Sequence, residues 1–426
     1  SPMAKGIITF EKTSAGIPVI TERIADSPSA GFMVAVNTGS RDESSDIWGI
    51  SHLLEHVVFR ATKTRSSFQM SKEIEGAGGE MNAFTAKEIT AFYSSTLKDT
   101  ADTAKSLVAD IVCNPLINQS DVDMEKKIVL QEISMVENDP SSYIHDLFAE
   151  TMWKDHPLAH GEAGTTDIVK SIGSEELRKY YSERYVRPNL AVFACGNVDK
   201  DDVMAWAEEN FDAMPDGKAN ERHAPKVVDG SYRHVVRKED HCYVGMGFPG
   251  YSATDARRPA LQMLNAVLGS GSSSRMFQRV REEKALVYSV YNYVDQNSDG
   301  SSMGTFLSST EENVLEAIET AGKVLRSIRE EGVTKEELAK ARNLVKGATV
   351  RRAESTQSEL YRLARGTMLT GTPVSLEDWL GSFDAVTCED VMAVADDVIR
   401  NDLLSVTMYG TDVKSMKDFS PSQIEL

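Results

Sequence analysis

Apolar and polar positions follow two rhythms along this chain, and the rhythms divide it into strands and helices. Apolar and β-branched runs at 6–10, 18–22 and 30–36 read as strands, the last closed by Asn37-Thr-Gly-Ser40. Ile50, Leu53, Leu54, Val57 and Val58 then recur at 3.6-residue spacing and predict a helix over 49–61. A second helix is expected at 67–75, halted at Gly76-Ala-Gly-Gly79, and a strand pair over 80–97. Helices follow at 100–112 and 121–137. The latter has Ser120 as N-cap, Asp123 at the capping-box position, and Pro140 beyond its end. A strand is expected at 189–196.

The stretch 214–230, with Pro215, Asp216-Gly217, Pro225 and Asp229-Gly230, has little periodicity and reads as a linker. After it the order of elements recurs: a strand at 242–248, helices at 260–268 and 274–282, strands at 287–294 and 300–308, helices at 311–330, 335–353 and 354–368, and a strand at 404–409. Strands followed by clustered helices, twice over, predict an α+β fold. Two similar domains from an internal duplication are expected, each a mostly antiparallel sheet with helices on one face. Their boundaries fall at 1–217 and 230–426, joined by 218–229.

Composition narrows the function. The 426 residues carry 46 Lys+Arg against 65 Asp+Glu, a net charge of −19, with no basic stripe for a nucleic-acid backbone. Such a surface is soluble and steers basic peptides weakly. The four cysteines, Cys113, Cys195, Cys242 and Cys388, form no C-x-x-C pair and no disulfide framework. No apolar run is long enough to span a membrane, and no h-region opens the chain, where Ser1 and Pro2 before Met3 resemble a cloning remnant. A cytoplasmic protein without membrane or nucleic-acid partners is expected.

The main chemical signal is His52-Leu-Leu-Glu55-His56. On a helix, residues i and i+4 share a face, so His52 and His56 can hold one metal ion. Zinc suits imidazole, makes bound water acidic and polarises carbonyls. Glu55, at the edge of that face, can take a proton from water without being a ligand. The order H-x-x-E-H is the inverted zinc-peptidase motif. A third ligand is needed, and the helix at 121–137 offers Glu125 and Glu132, seven apart on one face with Ile128, Val129 and Val136 expected to pack behind. Spacing alone does not choose between them, and a solvated acidic face has the same pattern.

His52-x-x-Glu55-His56 followed by Glu132, with 75 residues between His56 and Glu132, resembles the pitrilysin (insulinase) family of inverted-motif zinc peptidases. Nearly the whole chain is covered, and its size resembles the short-chain branch of the mitochondrial processing peptidase subunits. Glu125-Lys-Lys-Ile-Val-Leu-Gln-Glu132-Ile resembles the segment in which the second glutamate is the ligand and the first a supporting acid, which selects Glu132 as ligand and Glu125 as its support. The resemblance implies one Zn2+ per chain on His52, His56 and Glu132, with Glu55 as general base and acid. Gly79-Glu-Met-Asn82-Ala-Phe-Thr85 resembles the edge strand on which peptide substrate pairs as an added β-strand, so Asn82, Ala83 and Phe84 are expected to bind substrate. Glu88 is expected as a second supporting acid. His156-Pro-Leu-Ala-His160-Gly161 resembles another family segment and receives no chemistry.

In the second half, Leu268-Gly-Ser-Gly-Ser-Ser-Ser-Arg275 resembles the family's glycine- and serine-rich lead into a helix and lacks the Lys-Ser/Thr of a nucleotide loop. Arg281 and Tyr288 resemble the pair that serves the active site from the C-terminal domain, where both can donate hydrogen bonds to substrate and to a developing oxyanion. With motif and pair on one chain, a homodimer enclosing a chamber is expected, or a heterodimer with a related chain. These features imply a zinc endopeptidase for unfolded or extended peptides, like the processing peptidases. The alternative is a non-catalytic peptide-binding or scaffold subunit, which retention of the whole residue set disfavours.

Overall fold

The alternating runs pair into two sheets. The computed structural model describes residues 6–227 and 229–426. The first five residues, Ser1 and Pro2 among them, lie outside the described residues, as does Val228. In chain order the first half contains β1 (Ile7–Lys12), β2 (Pro18–Arg23), β3 (Ser29–Val36), α1 (Ile50–Val58), α2 (Ser67–Gly76), β4 (Glu80–Thr85), β5 (Thr90–Leu97), α3 (Ala101–Cys113), α4 (Gln119–Glu137), α5 (Pro140–Trp153), α6 (Thr166–Ser171), α7 (Ser174–Arg184), β6 (Leu190–Gly196) and α8 (Lys200–Phe211). The second half contains β7 (Tyr232–Val236), β8 (Cys242–Pro249), α9 (Arg258–Gly269), β9 (Ser289–Gln296), β10 (Ser301–Ser309), α10 (Val314–Glu331), α11 (Lys335–Arg352), α12 (Thr356–Thr370), α13 (Leu376–Asp384), α14 (Cys388–Val398) and β11 (Ser405–Gly410).

The sheets repeat one topology. The first runs β1-β2-β6-β3-β5-β4 and the second β7-β11-β8-β10-β9. In each, one pair is parallel, β2 with β6 and β7 with β11, and the other pairs are antiparallel. Dropping β1 superimposes the two orders strand for strand, so the duplication expected from the order of elements is written in the pairing as well.

Each sheet bears its main helical layer on one face, as expected, and one further helix on the other. In the first unit Leu53, Leu54 and Val57 of α1 pack with Leu107 and Val108 of α3 onto Phe32 and Val34 of β3. The opposite face, with Ile20, Met33 and Phe193, is covered by Leu360, Leu363 and Ala364 of α12. In the second unit the corresponding face, with Val235, Phe306 and Tyr409, is covered by Ile144, Leu147 and Phe148 of α5. The compact units are therefore not the contiguous 1–217 and 230–426 that were expected. One comprises 1–134, 160–223 and 351–375, the other 135–159, 224–350 and 376–426. Each half of the sequence lends one helix to the other half's sheet.

Several elements differ from the sequence pattern. Pro140 does not merely follow α4; it is the first residue of α5, where its missing N–H is no loss. Ile128 and Val136, expected to pack behind the acidic residues of α4, are 40% and 36% exposed, because the buried stripe is Val122, Glu125, Val129 and Ile133. Ile128 falls on the flank of that stripe, and Val136 lies past the last turn the core covers. The helix expected at 274–282 is a π-helix, Phe277–Glu282. No helix among the described residues is long and apolar enough to cross a membrane.

The α12 face also buries charge. Glu22 of β2 and Glu359 of α12 are 5% and 1% exposed, and Arg362 Nε donates to Glu359. Burial, then the Glu359 charge, pushes the Glu22 carboxyl from 4.5 up to about 7. An acid with a raised folded-state value binds its proton more tightly when folded. Its stabilisation is thus lost as pH rises from about 4.5 to about 7, an effect of about 3 kcal/mol. Glu22→Gln keeps the shape and removes the titration. Urea unfolding should show it more stable than wild type near pH 8 by about that amount and little different near pH 4. Parallel stability-pH curves for the two proteins would refute the assignment.

Candidate metal centre

α1 is short and amphipathic. Its apolar stripe, Ile50, Leu53, Leu54, Val57 and Val58, is buried, and the helix lies along β4 and β5 at the edge of the first sheet. That leaves His52, Glu55 and His56 on the flank beside the edge strand. α4 brings Glu125 and Glu132 to the same place, two turns apart on one face.

Three donor side chains converge there. His52 Nε2 and His56 Nε2 are 3.3 Å apart. Glu132 Oε2 is 3.3 Å from His52 Nε2, and its Oε1 is 3.4 Å from His56 Nε2. Ligands at about 2.05 Å from a tetrahedral centre lie about 3.3 Å from one another, so the three side chains approach one another at the spacing a zinc ion requires. Two imidazoles and a carboxylate are also the donor types zinc takes at catalytic sites. These three residues are the one cluster of metal-ligating side chains found among the described residues. His52 and His56 are 17% and 18% exposed and Glu132 41%, which leaves one side open to a fourth ligand.

The surrounding groups suit this use. Burial, then the charge of His56, pushes the His52 imidazole down to about 4, so it is neutral and its lone pair is free near pH 7. Glu125, 7% exposed, places Oε2 3.4 Å from His56 Nδ1. The contact lacks full hydrogen-bond alignment, and a carboxylate beside Nδ1 favours the tautomer whose Nε2 is unprotonated. Glu55 Oε2 lies 4.0 Å from His56 Nε2, and Thr85 Oγ1 donates to Glu55 Oε1 at 3.3 Å. Burial pushes the Glu55 carboxyl up to about 7, with His56 opposing. The Thr85 contact has no counterpart in the motif reading; the period-2 alternation of β4, which turns Met81, Ala83 and Thr85 to the α1 side, is the signal that would have found it.

The other expected residues are placed as follows. Among the described residues β4 is the outermost strand of its sheet and pairs only with β5, so its far edge is unpaired there. Asn82 Oδ1 accepts from Ala83 N at 2.8 Å. Phe84 turns to the opposite face, its ring 5.0 Å from Tyr361 and 6.3 Å from Tyr93, so it offers the edge its backbone and not its ring. The Glu88 carboxylate accepts from Arg41 Nη1 at 2.9 Å, with Arg222 Nη1 at 3.7 Å, and so belongs to an arginine network at the β4–β5 turn. Arg222 comes from the stretch expected as a free linker and also grips Asp42 at 2.8 Å.

Arg281 and Tyr288 lie in the second unit. Arg281 Nε donates to the Tyr288 carbonyl at 3.1 Å, and the Tyr288 side chain is 56% exposed beside His241, ring centroids 4.5 Å apart. Between them Ala285 has φ +52°, a strained position for a residue with a Cβ. Arg275 is turned inward onto Glu337 at 2.7 Å and Ser327 at 3.0 Å, which makes the serine-rich loop a structural lead and not a phosphate cradle.

Known proteins resemble this chain over most of its length. The profile described as Insulinase (Peptidase family M16) matches residues 18–166, and that described as Peptidase M16 inactive domain matches 171–345. An uncharacterized zinc protease of Streptomyces coelicolor is 36% identical over 94% of this chain and 90% of its own length. An uncharacterized zinc protease of Bacillus subtilis is 31% identical over 91% and 94%. Among solved structures, a peptidase M16 inactive domain from Pseudomonas fluorescens matches at TM-score 0.87 and 19% identity, over 96% of this chain and 98% of that one. A protease from Helicobacter pylori matches at TM-score 0.84 and 20% identity, over 95% and 99%. At these identities the two structures share the fold.

Proposed function

The chain belongs to the insulinase family of peptidases, M16, and on that premise we propose that it is a zinc endopeptidase for unfolded or extended peptides, with His52, His56 and Glu132 holding one ion per chain. The observation that carries the reading is the convergence of His52 Nε2, His56 Nε2 and the two oxygens of the Glu132 carboxylate, in contact at 3.3–3.4 Å, with a largely buried carboxylate that is not a ligand at the rim. A bound zinc supplies an acidic water and polarises the scissile carbonyl.

The chain's own groups do the rest. Glu55 takes the proton of the attacking water and returns it to the leaving amine, and Thr85 holds one Glu55 oxygen so that the other faces the site. Glu125 keeps His56 in the ligating tautomer. The open edge of β4 takes the substrate as an added strand through backbone hydrogen bonds, which hold any extended sequence and exclude folded ones. Arg281 and Tyr288 donate to the substrate backbone and the tetrahedral intermediate.

The chain is proposed to act as a homodimer in which one copy's Arg281 and Tyr288 serve the other copy's metal centre. Tyr288→Phe should lower kcat by about 10²–10³ as a lost oxyanion donor, with KM changed far less. Mixing Tyr288→Phe with Glu55→Gln, each inactive alone, should then restore part of the wild-type rate, because mixed dimers contain one intact set. No recovery on mixing, or a fully active monomer in sedimentation, would rule out the shared site.

A further inference from the structure

We propose that Glu43 and His160 are positioning residues of the metal centre: Glu43 fixes the first turn of α1, and with it the direction of His52 and His56, while His160 holds Glu43 in place. The purpose assigned to them rests on the zinc reading above.

α1 has nine residues, and His52 is its third. So short a helix has little besides its first turn to set its rotation, and a slip of one residue would swing both imidazoles by about 100°. The N-cap is Gly49, at φ +100°, which has no side chain to accept the free amides of that end. Glu43 does so from six residues upstream. Its Oε1 accepts from Gly49 N at 2.9 Å and its Oε2 from Ser51 N at 2.8 Å. Only the observed register offers these two amides together.

The Glu43 side chain is fully buried, and a carboxylate in that position is costly unless paired. The positive end of α1 is one partner. The other is His160, 7% exposed, with Nε2 3.5 Å from Oε1 and its ring stacked on Trp48 at 4.6 Å. The chain after His160 closes on the same turn. A Cβ on Gly164, at φ +77°, would fall 2.2 Å from the Trp48 carbonyl, and one on Gly49 would fall 2.6 Å from that of Ala163. Ser51 Oγ continues the anchorage to Tyr180 OH at 2.5 Å, which lies 3.2 Å from Thr38 Oγ1. The His160-Gly161 segment, without chemistry in the sequence reading, thus becomes the clamp on the metal-binding helix.

The test is zinc affinity of the purified full chain, measured by competition with a chromophoric chelator and so independent of turnover. Glu43→Gln keeps the shape but loses one acceptor and the charge, and should weaken zinc binding about 10- to 100-fold, the usual cost of removing a group that orients a ligand. His160→Phe keeps the stack on Trp48, loses the Nε2 contact with Glu43 and should weaken binding less. Val203→Ala, a cavity in α8, is the control: it should lower the melting temperature while leaving zinc affinity intact. Wild-type affinity in folded Glu43→Gln, or an equal loss in Val203→Ala, would overturn the proposal. Failure of wild type itself to bind zinc would sink the zinc reading, and this inference with it; the two failures are read from different samples.

Discussion

Glu55→Gln should stop peptide cleavage, with kcat lower by about 10²–10⁴, and leave zinc content unchanged. The amide has the carboxylate's shape and can still accept from Thr85 Oγ1, so the pocket between α1 and β4 keeps its form. What it lacks is a basic oxygen for the water proton. KM should hold, because Glu55 is assigned to the proton and not to the peptide. Wild-type activity should rise with pH as Glu55 ionises, at or below the value of about 7 to which burial pushes it, since a cation beside it acts in the opposite direction. The measurement is a digest of an unstructured basic peptide by both proteins, read by mass spectrometry, with metal content determined on the same samples. Equal cleavage by both would point to a contaminant. Zinc bound but no cleavage by either would favour the binding-subunit alternative.

Removal of any metal ligand should have an equally large effect by a different route. His52→Ala, His56→Ala and Glu132→Ala should each lose the bound zinc and the activity together. Stability separates ligand loss from misfolding. Zinc at about 1,000 times its dissociation constant stabilises the folded chain by about 4 kcal/mol, so wild type should melt several degrees higher with zinc than with chelator. The variants should show no such gain. In chelator Glu132→Ala should melt no lower than wild type, because Glu132 is 41% exposed and its oxygens crowd two imidazole nitrogens at 3.3–3.4 Å. A zinc-dependent gain retained in Glu132→Ala would transfer the third ligand to another group, with Glu125 the nearest candidate.

α1 was readable because its two demands coincide: the apolar stripe and the i, i+4 histidines are both local and both helical. Spacing leaves Glu132 and Glu125 open, since both lie on one face; the structure separates them by reach, with Glu132 oxygens 3.3–3.4 Å from both histidine Nε2 atoms and Glu125 beside His56 Nδ1. The direction of the Phe84 ring was not legible, because a motif names residues in order and a strand turns alternate ones away. Glu43 left no local trace, for a capping signal is sought three residues from the N-cap partner and this acid lies six before Gly49. α5 and α12 were harder still. Their apolar faces are plain in the sequence, but which sheet each covers is a matter of tertiary partners.

The exchange of α5 and α12 bears on how the chain is made. A ribosome that has completed 217 residues has delivered all six strands of the first sheet and not one residue of α12. Ile20, Met33 and Phe193 then have no cover until about 150 more residues emerge, a wait of about 8–30 s at ordinary rates of synthesis. The second sheet has no such interval, because α5 is finished before any of its strands begins. The nascent first half is therefore the species that a holding chaperone should meet, and the arrival of α12 is the event that should release it.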